Sequence, residues 1–181
     1  MPSLVAILRD ILLVRRGPQD LPYSPLLLAV AALASLAGSY WATVLLLPQQ
    51  PDVLLHVSAA LLLQLGSYYL LLNAFQRKAR FVQTSLANLL VDVAFTLAIL
   101  PLLPIFEPMT RRGATPDTVT AAAAFASLLF IAFGIWRVVV AAHILRQALD
   151  VRLLPALLIY VALVVTSQIM LGAVFGGAEG N

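Results

Sequence analysis

FVQTSLANLLVDVAFTLAIL, Phe81 to Leu100, holds a single charged residue, Asp92, in twenty. Twenty predominantly apolar residues make a helix of about 30 Å, the thickness of a bilayer's hydrocarbon core. Four other stretches share this character: Pro25–Leu47, Val53–Phe75, Val119–Ala142 and Leu153–Val174. Nearly all of the eight acidic and eleven basic residues fall between the five. The expected fold class is therefore all-α and integral to a membrane, a bundle of five transmembrane helices. Besides Asp92, the one charged residue inside a stretch is Arg137, towards the end of the fourth, with His143 just past that end.

Composition agrees. Hydrophobic residues make up 62% of the chain and charged residues 10%, against about 45–50% and about 25% for a soluble domain. The spans leave an arm at residues 1–17, short loops and a small tail, so residues 18–181 are expected to form one transmembrane domain. With no cysteine, disulfides, thiolate metal sites and cysteine nucleophiles are excluded. The net charge of +3 sits at span ends, where a membrane surface accounts for it better than nucleic acid does.

In the arm, Arg9 and Asp10 interrupt the apolar run that a secretory signal requires. As a helix, Leu4, Ile7, Leu8, Ile11, Leu12 and Val14 share one broad face with Arg9 and Arg16 opposite, the pattern of an amphipathic helix lying in a membrane interface. Gly17-Pro18 ends it. Ser24-Pro25, Pro51-Asp52 and Thr115-Pro116-Asp117 supply start signals for the first, second and fourth spans. Pro101 and Pro104 end or kink the third.

Lysine and arginine set the orientation. Arg9, Arg15, Arg16, Arg77, Lys78, Arg80, Arg146 and Arg152 fall on one side, with Arg137 just inside it. Only Arg111 and Arg112, in the longest loop (Pro101–Thr118), fall on the other. An N-terminus in the cytoplasm and a C-terminus outside follow. Trp41 and Tyr23 suit the two interfaces.

Asp92 is the costly residue: insertion scales put a carboxylate at the centre of a helix at about +2.5–3.5 kcal/mol. It is expected to be protonated or paired. Ser85, Asn88, Asp92 and Thr96 follow helical spacing, so an inward polar face is expected, either a proton or cation site or a polar clasp between helices. Arg137 is the natural partner, one to two turns shallower; the alternative is that it snorkels to headgroups beside Trp136. His56 and His143 lie near opposite surfaces and make no metal site. Gln64 with Tyr68, and Tyr69 with Asn73, suit helix-to-helix hydrogen bonds. Ala34, Gly38 and Ala42, with Ser35, Ser39 and Thr43 beside them, form small-residue stripes for close helix packing. No nucleotide, metal or nucleophile motif occurs, so neither a cofactor nor a catalytic constellation is expected.

The segment Asp20-Leu21-Pro22-Tyr23-Ser24-Pro25-Leu26 resembles the Asp-Leu-Tyr-Gly-Pro entry to the first span of the Yip1 family, with Pro22 inserted and Ser24 where glycine stands. These are small five-span membrane proteins with a cytoplasmic N-terminus, and the layout is closest to compact bacterial members. The resemblance implies a membrane-organising or partner-binding role and carries over no catalytic residue. The first functional expectation is thus a non-enzymatic scaffold or small complex subunit of a bacterial inner membrane. It would act through lipid, other membrane proteins or self-association. The alternative is a small proton-coupled transporter or permease built on Asp92, Asn88 and Arg137. An intramembrane enzyme acting on lipid lacks an acid–base pair.

Overall fold

A computed structural model describes residues 3–47, 50–110 and 120–175, which contain helices and connections and no strand. The helices are α1 (Leu4–Leu12), α2 (Pro25–Leu46), α3 (Val53–Ala74), α4 (Phe81–Ile99), α5 (Leu103–Thr110), α6 (Ala121–Leu149) and α7 (Leu153–Phe175). Five segments are long and apolar enough to cross a membrane: α2, α3, α6, α7 and the helical run through α4 to Phe106. Large apolar side chains such as Leu26, Leu33, Leu62, Phe125, Leu158 and Ile169 stand exposed around the bundle, a surface that hydrocarbon tolerates and water does not.

Local chemistry explains the helix starts. Ser24 Oγ accepts the Leu27 N–H and Pro25 fills the first turn of α2. Thr120 caps α6 by accepting the Ala123 N–H, so the cap lies one residue before the helix; Thr115-Pro116-Asp117 fall outside the described residues. Asp52 takes a left-handed conformation (φ 51°) before α3 and makes no side-chain cap bond. At Pro101 the third span tightens into a 3₁₀ turn, Leu100–Leu102, and then resumes as α5. Much of the expected loop after Leu100 is therefore helix; α5 packs on α2, and Leu103 is fully buried. Arg111 and Arg112 lie outside the described residues.

The fourth span runs two turns beyond the expected Ala142, to Leu149. The extension is held from outside. Arg80 Nη1 donates to the carbonyls of Gln147 (2.8 Å) and Ala148 (3.1 Å), and Arg77 and Arg80 pair with Asp150. Cations at a helix C-terminus satisfy its orphan carbonyls and oppose its dipole.

α4 is the central helix, packing on α2 most extensively and also on α1, α3 and α6; α3 and α7 close the other side. One end of the bundle gathers α1 and the basic connections, and is called here the basic end. Three apolar clusters occupy that half. One joins Ile7 and Ile11 of α1 to Leu86, Leu89, Val140 and Ile144. The others join Tyr68 and Leu72 of α3 to Leu145, Ala148, Ala156 and Tyr160.

The apolar face of α1 is thus partly spent on the bundle rather than left free. The arm is latched there by polar bonds: Gln83 Nε2 donates to the carbonyl of Leu21 (2.7 Å), and Gln19 Nε2 to Gln147 Oε1 (2.5 Å). His143, expected at a surface, lies under this arm with its Nε2 near the Arg16 carbonyl (3.2 Å). A Cβ on Gly17 would occupy the space now held by the flexible ends of Gln147 and Gln19, so these two side chains would have to move. Gly17→Ala is expected to break the Gln19–Gln147 bond at a cost of about 1 kcal/mol. Hydrogen exchange should quicken in residues 4–12 and stay unchanged in α4; unchanged arm exchange would contradict the latch.

The small-residue stripe of α2 meets α4 of the same chain. A Cβ on Gly38 would lie 3.2 Å from Thr96 Cγ2, so glycine sets the α2–α4 separation. The packed line runs Ala31, Ser35, Gly38, and Ala34 is exposed, which turns half of the expected stripe outward. Gly38→Leu is expected to push the helices apart and to cost about 1–3 kcal/mol, read as a lower unfolding midpoint in mixed micelles. An unaltered midpoint would show that the contact does not set the spacing.

Candidate functional site

Half-way along the bundle, α4 delivers Asp92 and α6 delivers Arg137. Asp92 is eleven residues from the start of α4, about 16 Å along its axis. Because α6 runs on to Leu149, Arg137 sits about three turns inside it, level with Asp92 instead of shallower. Arg137 Nε and Nη2 both donate to Asp92 Oδ1, at 2.9 and 2.5 Å. Snorkelling, the other reading of Arg137, is not the arrangement adopted. Trp136 packs on the core cluster instead.

The pair is supported on three sides. Gln64 Nε2 from α3 donates to Asp92 Oδ2 (2.8 Å), and Arg137 Nη1 donates to the hydroxyl of Tyr160 from α7 (3.1 Å). The guanidinium lies over the Phe95 ring, 5.6 Å from its centroid. A half-buried carboxylate with a guanidinium and an amide satisfies the rule that a charge in low dielectric needs both a counter-ion and hydrogen bonds.

The polar face of α4 is divided among different tasks. Ser85 and Asn88 are buried, as expected, but Asn88 Nδ2 donates to the Thr84 carbonyl of its own helix (3.0 Å). The hydroxyls of Thr84 and Ser85 find no partner among the described residues. Thr96 packs on Gly38. Of Ser85, Asn88, Asp92 and Thr96, only Asp92 joins Arg137.

The pair borders a cleft of about 210 Å³ between α3, α6 and α7, lined by Gln64, Ser67, Tyr68, Arg137, Tyr160, Ser167 and Gln168 with Leu163, Val164 and Leu171 as apolar wall. A second cleft of about 210 Å³ adjoins it and shares Ala60, Gln64, Gln168 and Leu171. Its other residues, Ser35, Ser39, Thr43 and His56, run up α2 and α3 to within about a turn of the end opposite the basic one. There His56 meets Phe175, ring centroids 5.0 Å apart. Towards the basic end, the layer of Tyr68, Leu72, Leu145 and Ala148 closes the space. The result is a polar half-passage that ends at an ion pair.

Arg137 faces this space more than Asp92 does, with side-chain exposures of 30% and 15%. Gln64 and Tyr68 serve the cleft rather than only a helix contact. Tyr160, Ser167 and Gln168 went unread in the sequence, since scattered polar residues on an apolar helix give no register against α3. Among the described residues no three His, Cys, Asp or Glu side chains gather as a metal site would require. No family model, curated protein or solved structure matches the chain.

Proposed function

We propose that the chain is an integral membrane protein of the permease type, with its basic end in the cytoplasm. It admits a small polar solute from the opposite side and couples its passage to protons through Asp92. The observation that carries this reading is the Asp92–Arg137 pair at mid-depth, at the foot of a polar cleft sealed on the basic side. Buried ion pairs of this kind mark substrate and proton pathways in membrane proteins. The orientation rests on the arginine and lysine distribution. α1 lies along the cytoplasmic interface, with Val5 and Leu13 exposed towards the headgroup region. A bacterial inner membrane suits the short connections. No enzymatic activity is assigned.

The test is proton flux in pyranine-loaded liposomes under an imposed gradient, with a small polar solute supplied outside. Wild-type protein is expected to exceed protein-free liposomes, and Asp92→Asn to lower the flux by about tenfold, the effect of about 1.4 kcal/mol on a barrier. Equal flux through wild type and Asp92→Asn rejects the coupling, and wild-type flux no higher than that of empty liposomes rejects the permease.

A second reading, scaffold or small subunit, has one observation in its favour. Ala34 and Ala37 are exposed on α2 beside Trp41, a small-residue surface open to a helix of another membrane protein or of a second copy. The resemblance to Yip1-type proteins, with their partner-binding role, points the same way. A strictly monomeric protein that brings no partner out of native membrane in mild detergent would count against it.

A further inference from the structure

The clefts differ from a generic polar pore in the charge they present. Arg137 is the one charged residue lining either of them among the described residues; the rest is hydroxyl, amide, imidazole and aliphatic wall. Asp92 lies behind it, shielded by Gln64 and by the guanidinium itself. Arg137 has five N–H donors and uses three, two on Asp92 and one on Tyr160. Two find no acceptor among the described residues. The same cleft is lined by the hydroxyls of Tyr68, Tyr160 and Ser167, all able to donate, and by the aliphatic side chains of Leu163 and Val164.

We infer that the cleft takes a small organic monoanion, a short-chain carboxylate docked on the free edge of the Arg137 guanidinium with its alkyl part against α7. This deepens the permease reading and rests on its cleft. A guanidinium is a planar fork that matches a carboxylate, and as the one charge on the lining it attracts an anion and repels a cation.

Charge balance then supplies the coupling. Empty, the site is neutral: one carboxylate, one guanidinium. A second carboxylate would leave one uncompensated negative charge, which a low-dielectric interior strongly disfavours. The bound state therefore holds one proton more than the empty state, placed on the carboxyl pair formed by Asp92 and the ligand. The other titratable groups around the pair are Arg137 from α6, Tyr160 from α7 and Tyr68 from α3, and arginine and tyrosine already carry their protons at neutral pH. Anion and proton enter together as an electroneutral pair, with no covalent bond made or broken.

The experiment is calorimetric titration of the purified full chain in detergent with sodium butyrate, butyramide and butylammonium chloride, isosteres that are anionic, neutral and cationic. Butyrate is expected to bind at least about tenfold more tightly than the other two at pH 6, and its Kd to rise about tenfold per pH unit up to pH 8, as one linked proton requires. The double variant Asp92→Asn/Arg137→Gln keeps the site neutral and hydrogen-bonded. It is expected to lose both the preference for butyrate and the pH dependence.

Butyramide binding within about threefold of butyrate at pH 6 overturns the anion assignment, as does the absence of saturable butyrate binding. A butyrate Kd that does not change with pH overturns the linked proton. Selective butyrate binding without transport across liposomes leaves this inference standing and overturns the permease reading, so the two fail separately.

Discussion

Arg137→Met is expected to destabilise the protein by about 3–5 kcal/mol, because it leaves the Asp92 carboxylate in the bundle interior without its counter-ion. Asp92 would retain only the Gln64 amide at 2.8 Å. The bond to Tyr160 and the contact with Phe95 would go as well. The double variant Asp92→Asn/Arg137→Gln removes both charges while keeping hydrogen-bonding groups of similar shape. It is expected to recover most of the loss, since replacing a buried pair by neutral groups is often near neutral whereas breaking one is not. Unfolding in mixed micelles measures all three proteins. A single variant as stable as the wild type, or a double variant no better than the single, would mean that the pair is not formed.

The second large effect concerns the layer that closes the cleft. Leu145 is fully buried among Tyr68, Ala141, Ala156 and Tyr160. Leu145→Ala is expected to cost about 2–5 kcal/mol through lost packing and the cavity left behind. Leu158→Ala, on the exposed face of α7 at 62% exposure, is expected to stay within about 0.5 kcal/mol, since one apolar surface there replaces another. The contrast between two leucines of one bundle separates core from lipid-facing surface. Equal losses at both positions would contradict the packing.

The sequence made the five long helices legible because each stretch exceeds what a soluble helix needs and the charges punctuate them. It also indicated the Asp92–Arg137 pair, through the scarcity of charge: one buried acid had one arginine near its depth. The relative depth differs because a helix continuing past Ala142 only towards Arg146 puts Arg137 about two turns from its end, whereas α6 runs on to Leu149. The residues after Ala142, His143 to Leu149, mix polar with apolar and pack on α1, α3 and the arm, so hydropathy alone does not mark them as a continuation.

Ser85, Asn88 and Thr96 share a face with Asp92 at helical spacing, yet three neighbours receive that face, and spacing on one helix does not say which. The stripe on α2 shows the same limit: Gly38 meets Thr96 while Ala34 turns outward, a register fixed by the partner helix. Tyr160, Ser167 and Gln168 reach the cleft through the rotation of α7, which an almost uniformly apolar sequence leaves unspecified.

The absence of cysteine makes the chain a natural background for the most direct test of the central claim, a polar half-passage that opens opposite the basic end and stops at the ion pair. Single cysteines at Ser39, Ala60 and Ser167 sample the clefts, and single cysteines at Leu72 and Ala148 sample the seal. In sealed, right-side-out membrane vesicles, a charged, membrane-impermeant thiol reagent added outside is expected to label the first three and to leave the last two unmodified. Cleft positions that resist the reagent from outside, or seal positions that react as fast as the cleft, would contradict the account.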